Sequence, residues 1–199
     1  MTDANVCELV CTRISHDIVG NVGAVANAVE LLEEGDMEFI DDIISILKTS
    51  STTMSARMKF FRLAFGLNNP NLENENFVKQ TAQDYLLTIG NKDYPITLDF
   101  NVKNVAKRKE ALIMVMIAAD LLVRGSNIII WDDSDERLTL QIGAGAKLSD
   151  DKINKIKKAL VDDVIDDAVL APVSVLKDIT KGQKIKLIDD DGLIKLIVE

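Results

Sequence analysis

The 199-residue sequence holds one histidine, two cysteines and three prolines, and each scarcity excludes something. With a single imidazole no multi-histidine metal centre can form, and any histidine chemistry passes through His16. Cys7 and Cys11 stand four positions apart, too near to close a stabilising loop, so a reduced, cytoplasmic chain is expected. Positive charge is also scarce. The 23 Lys and Arg against 32 Asp and Glu leave a net charge of -9, which disfavours nucleic acid and anionic membrane surfaces as partners. The longest apolar run, Ala111 to Ala119, ends at Asp120 and is far too short to span a bilayer; no basic secretory leader is read either. No repeat, low-complexity tract or Ser/Gly-rich linker appears. What remains, 47% hydrophobic and 28% charged, is globular composition for one domain or two small ones.

No proline interrupts residues 5–34, and an apolar set recurs there at alternating spacings of four and three: Cys7, Cys11, Ile14, Ile18, Val22, Val25, Val29, Leu32. This heptad seam predicts one long helix, with Gly35 as its stop and Asp36 capping the next. The second helix repeats the pattern through Ile40, Ile44, Leu47, Ser51, Met54, Met58, Phe61 and Phe65, and ends at Gly66 and Asn68-Asn69-Pro70. Two long helices joined by so short a turn are antiparallel neighbours. One hairpin leaves each seam half covered, and a homodimer closing a four-helix bundle is the simplest remedy. The cysteines fall on the seam and read as small core residues, with a metal or redox role as the alternative.

His16 lies on the opposite side of the first helix, with Gly20, Gly23 and Asn27 following it. Each glycine costs a helix about 1 kcal/mol relative to alanine, a cost most readily accepted where something must approach closely. The other reading of His16 is an inert surface histidine.

Residues 67–75 form the one credible boundary. Beyond it a helix is predicted at 76–89 with Phe77, Ala82 and Leu86, stopped by Gly90-Asn91, then a strand at 95–100. An apolar helix follows at 104–123, ended by Arg124-Gly125. Strands are expected at 127–131 and 138–142, with the acidic turn Asp132-Asp133-Ser134-Asp135 between them. Ser149 caps a helix running to Asp167, Pro172 starts a short one to Ile179, and strands 184–188 and 193–198 close the chain around a turn at Asp189–Gly192. The Asp162, Asp163, Asp166 and Asp167 group reads as a wet helix face, and Asp189–Asp191 as turn residues. Gly143-Ala-Gly145-Ala-Lys147 lacks the frame of a phosphate loop.

Ile14-Ser15-His16-Asp17-Ile18-Val19 with Val22-Gly23-Ala24 and Glu30-Leu31-Leu32, Phe60-Phe61-Arg62-Leu63-Ala64-Phe65-Gly66, and Ala118-Ala119-Asp120-Leu121-Leu122 with Arg124-Gly125 occur in that order. This series resembles the ChpT-type histidine phosphotransferases of alphaproteobacteria, and more distantly the dimerisation and catalytic parts of sensor histidine kinases. The resemblance spans about residues 7–125. It implies an α+β chain in which a dimerising helical hairpin over 1–67 carries the phosphoacceptor. A two-layer α/β domain over 75–199, resembling a degenerate kinase ATPase domain, follows it. The usual proline after His-Asp is absent, with Gly20-Asn21 in that region.

The resemblance further implies that His16 relays a phosphoryl group between receiver-domain aspartates of a hybrid histidine kinase and of response regulators. Asp17 would fix the imidazole tautomer. Arg13, Gly20, Asn21, Gly23 and Asn27 would form the docking footprint, although Arg13 reads equally as a plain solvated arginine. Ile117 stands where a kinase keeps its magnesium-binding asparagine, and no Asp-x-Gly-x-Gly loop precedes Gly143-Ala-Gly145. No nucleotide or metal is therefore expected on this chain, with Mg²⁺ supplied by the receiver domain. Two alternatives stay open: an ATP-dependent histidine kinase, and a docking dimer that carries no phosphate.

Overall fold

The computed structural model describes all residues except 1–2, 36–38, 68, 91–92, 134–136, 144–145, 163 and 191. The expected cap at Asp36 lies outside the described residues, as do Asn68, Asn91, Ser134, Asp135, Gly145, Asp163 and Asp191 of the motifs above. Helix α1 runs Asp3–Glu33 and α2 runs Ile40–Ala64. Gly35 adopts φ 77°, a left-handed conformation that glycine enters without a Cβ clash. Asp41 and Asp42 open α2 and Arg62 closes it, each sign complementing the helix dipole.

The seam of α1 does not behave as one stripe. Ile14 and Ile18 pack against the core, whereas Cys7, Cys11, Val22, Val29 and Leu32 are exposed, and both cysteines are free. The cysteines are thus not buried within the chain, as the seam had suggested. Buried positions follow a neighbouring line through Leu9, Arg13 and Ala28. The reason is asymmetry: one side of the helix packs on α2 and on the C-terminal half, and the seam positions off that side stay exposed.

Beyond the hairpin, α3 (Glu75–Leu87) is capped by Asn74, whose side chain accepts from Phe77 N–H. Strand β1 (Thr97–Asn101) leads through a 3₁₀ turn at Val105–Lys107 into α4 (Arg108–Leu121). The expected helix over 104–123 is therefore shorter at both ends. Asp132 accepts from the backbone N–H of Lys103 and Asn104 at 2.9 and 2.7 Å and holds that entry. The chain leaves α4 in extended conformation at Leu122 rather than through a glycine cap. Gly125 serves close approach instead, since a Cβ there would meet the carbonyl oxygens of Tyr94 and Pro95 at 2.2 Å.

Strands β2 (Asn127–Asp132) and β3 (Leu138–Ile142) are followed by α5 (Asp150–Val161), α6 (Ala171–Ile179), β4 (Ile185–Asp190) and β5 (Leu193–Val198). Ser149 caps α5 as expected. However, α5 stops at Val161, so Asp162, Asp166 and Asp167 do not form a helix face. Carboxylates sit poorly at the negative end of a helix. Lys177 ends it instead, its Nζ donating to the carbonyls of Ala159 and Asp162 at 3.0 and 2.6 Å.

The sheet has the order β1-β2-β3-β5-β4, parallel between β1 and β2 and antiparallel elsewhere. Register aligns Phe100, Ile130, Leu140 and Leu196 across four strands on the face covered by helices. Helix α4, apolar all round from Ala111 to Ala119, is buried between the sheet and the other helices. Leu9 of α1 and Phe60, Phe61, Leu63 and Ala64 of α2 belong to the same hydrophobic cluster as the sheet. Phe60 stacks on Tyr85 with ring centroids 3.9 Å apart. One core thus runs through the expected boundary at 67–75.

Candidate functional site

His16 sits near the middle of α1 with its side chain 84% exposed, on the outer side that periodicity indicated. Gly20 and Gly23 follow on exposed positions, and an added Cβ at either would meet nothing within 4 Å. Internal packing therefore does not explain why these positions carry no side chain. Asn27 is exposed and Asn21 half-buried on the same helix.

Asp17 lies directly beside the imidazole, with Oδ1 3.6 Å from His16 Nδ1. That is longer than a hydrogen bond, so the expected tautomer-fixing contact is adjacent but not formed in this geometry. The other carboxylate oxygen accepts from Arg13 Nε at 2.9 Å. Arg13 departs from expectation altogether. It is 9% exposed and commits all three guanidinium nitrogens inside the chain, so it is not a free docking arginine. Its Nη2 donates to Asp120 Oδ1 at 2.7 Å and its Nη1 to the Val169 carbonyl at 3.3 Å. The position of Arg13 on the α1 line that includes Leu9 explains this: the side facing the C-terminal half is closed to solvent.

Asp120 lies in the last turn of α4, and its backbone carbonyl accepts from Lys152 Nζ at 2.7 Å. Burial pushes the Asp120 carboxyl above the usual carboxylate range, opposed by Arg13 beside it and by Lys152. Burial alone would lower the Arg13 guanidinium, but Asp120 and Asp17 more than offset it and raise it further. On the hairpin side, Arg57 of α2 donates to the Asp17 carbonyl and, at 3.1 Å, to Thr88 Oγ1. His16, Asp17, Thr12, Arg13, Ala168 and Val169 line a recess of about 200 Å³.

Asp120, Arg57, Lys152 and Val169 are functional neighbours that sequence reasoning missed. Asp120 carried a signal, because a carboxylate closing an otherwise apolar helix needs a partner. Its partner lies 107 residues away, beyond any local pattern.

Ile117 is 1% exposed and belongs to the hydrophobic core. Among the described residues no three His, Cys, Asp or Glu side chains group as metal ligands. No described helix is long and apolar enough to cross a membrane.

No protein-family model matches the chain. Protein phosphotransferase ChpT of Brucella abortus (strain 2308) is 48% identical over 58 residues, a stretch that spans 29% of this chain and 27% of the Brucella protein. A bacterial phosphotransferase solved at 1.7 Å superposes over 100% of this chain and 98% of its own, with TM-score 0.76 and 22% identity, and so shares the fold. A histidine kinase from Burkholderia phymatum STM815 reaches TM-score 0.41 at 12% identity over 100% of this chain and 97% of its own. A stretch of 58 residues is thus similar to a ChpT phosphotransferase, and the whole chain has the fold of a solved bacterial phosphotransferase.

Proposed function

We propose that this chain is a histidine phosphotransferase that relays a phosphoryl group through His16 between receiver-domain aspartates of a hybrid histidine kinase and of response regulators. The observation that carries the reading is the chain's single histidine, 84% exposed on a regular helix, above two glycines that intrachain packing does not require. Asp17 faces Nδ1, leaving Nε2 as the outward nucleophile. In transfer the P–O bond to the receiver's aspartyl oxygen breaks as the P–N bond to Nε2 forms. The aspartate departs as carboxylate with the electron pair, and the Nδ1 proton stays on the ring facing Asp17. The Mg²⁺ that neutralises the phosphoryl oxygens belongs to the receiver's acidic pocket. No ATP chemistry is assigned to this chain, because Ile117 offers no oxygen donor.

The test is to mix the protein with a phosphorylated receiver domain and follow acid-labile phosphate. Label is expected on the wild-type chain from the receiver, and none from ATP and Mg²⁺ alone. Label from ATP would establish the kinase reading; tight receiver binding with no label would leave only docking.

The exposed seam supports a homodimer as the form of the protein. Val22, Val29, Leu32, Ile44 and Met58 are 39–51% exposed on the hairpin, an apolar surface that one chain leaves uncovered. Light scattering is expected to give about twice 21.9 kDa at micromolar concentration. The Ile44→Glu variant should be monomeric with intact helicity, because a charge at a packed interface is costly while the same residue in the monomer faces water.

The glycines give a separate prediction. In Gly20→Leu the helix gains about 1 kcal/mol of propensity at an exposed position where an added Cβ meets nothing within 4 Å, so the melting temperature should rise. The partner's surface is nonetheless held off His16, and transfer slows by roughly tenfold or more, since the reacting atoms need to come within about 3–3.5 Å. A stopped-flow transfer rate paired with a thermal melt checks both signs.

A further inference from the structure

Three side chains connect the imidazole of His16 to the far half of the molecule. Asp17 presents Oδ1 to His16 Nδ1 at 3.6 Å and gives Oδ2 to Arg13 Nε at 2.9 Å. Arg13 is fixed in turn by Asp120 Oδ1 at 2.7 Å and by the Val169 carbonyl at 3.3 Å. Each of the three charged groups is largely enclosed, with side-chain exposures of 15% for Asp17, 10% for Arg13 and 16% for Asp120. Asp17 is sequence-adjacent to His16 on a helix, and adjacent helical positions point about 100° apart. Its carboxylate therefore depends on an outside hold to stay beside the ring.

We propose that Asp120, at the end of α4, is a positioning residue for His16: through Arg13 it keeps the negative Asp17 carboxylate 3.6 Å from Nδ1, where without a direct hydrogen bond its charge favours the Nδ1–H tautomer and leaves the free lone pair on Nε2. The inference deepens the phosphotransfer reading and rests on it for its purpose, but the tautomer itself is a property of the resting protein. The geometry favours this role over a purely structural ion pair for one reason. The Nε of Arg13, the guanidinium nitrogen closest to the backbone, is spent on Asp17, and the outer nitrogens on Asp120 and Val169, so the planar fork spans the two halves. Moving the Asp120 end tilts the whole fork and with it the Asp17 carboxylate. An ammonium in place of the guanidinium could not hold three acceptors in one plane.

The sequence makes the test simple, because His16 is the only histidine and ¹⁵N-histidine labelling yields one imidazole spectrum. The ring-nitrogen shifts of the full chain, in the absence of any phosphate donor, are expected to show the Nδ1–H form predominating. Asp17→Asn should shift the balance towards Nε2–H. Asp120→Asn should shift it the same way, and in the Asp17→Asn background it should add nothing, since it acts only through that carboxylate. Asp120→Glu, which keeps the charge but displaces it by one methylene, should lie between Asp120→Asn and wild type, and it carries the comparison if Asp120→Asn does not fold.

Phosphate uptake from a charged receiver should fall about tenfold in Asp120→Asn, the scale of a small misplacement at a reacting group. An unchanged tautomer in the folded Asp120 variants, or a further shift in the double variant, overturns the positioning role whether or not phosphate is transferred. If the tautomer responds as stated but wild type never acquires phosphate, positioning stands and the phosphotransfer reading fails.

Discussion

Replacing His16 with glutamine is expected to abolish phosphate uptake from a phosphorylated receiver domain while receiver binding and thermal stability stay at wild-type values. Glutamine keeps a polar side chain of similar reach, but its amide nitrogen has no lone pair available for attack, so the loss is at least about a thousandfold. Stability is spared because the imidazole is 84% exposed and forms no hydrogen bond with Asp17 at 3.6 Å. Transfer of labelled phosphate at fixed times, with affinity for the same receiver measured in parallel, decides the point. Persistent label on the glutamine protein would place the phosphoacceptor elsewhere in the chain.

The second large effect is on folding. Arg13→Met keeps much of the packing of the aliphatic stem but leaves the Asp120 and Asp17 carboxylates and the Val169 carbonyl without their donor. Removing one partner from an enclosed ion pair costs about 3–5 kcal/mol, a large share of a typical domain's stability. Urea unfolding followed by circular dichroism measures it. The loss should also depend on pH with a definite sign. Burial already raises the Asp120 carboxyl, with Arg13 holding it back, so the variant raises it further. A carboxyl whose folded pKa exceeds its unfolded one makes folding easiest below the unfolded value and harder as pH rises through the folded value. The variant should therefore recover stability on acidification from neutral pH towards the ordinary carboxylate range, narrowing its gap to wild type. A gap that stays constant over that window would remove Asp120 as the source of the loss.

How much of this could be read before the structure depends on the range of each signal. The long helices, the strand positions, the Ser149 cap and the outward side of His16 follow from periods and caps within a few residues, and the structure reproduces them. Misreadings arose where a distant partner decides. Cys7 and Cys11 share the period of Ile14 and Ile18 but lie beyond the surface that the C-terminal half covers. Asp162, Asp166 and Asp167 continue the polarity of α5 without continuing the helix, because Lys177 takes its last carbonyls. Arg13 resembled any surface arginine until α4 brought Asp120 to it. Local patterns convey which face is apolar; which part of that face is covered, and by what, is set by the packing of elements far apart in the chain.

The stacking of Phe60 on Tyr85 and the shared cluster around them carry an implication for engineering. A helical hairpin that ended its own core at residue 67 would be a portable cassette, transferable to another chain with its partners' recognition intact. Here the end of α2 contributes Phe60, Leu63 and Ala64, each no more than 1% exposed, to a core completed by the sheet and α4. Excising the hairpin would uncover that wedge, and a chimera would need a replacement surface shaped to receive it. Helix α1, and with it His16, is therefore tied through α2 to its α/β companion, and the two halves move between chains as one unit.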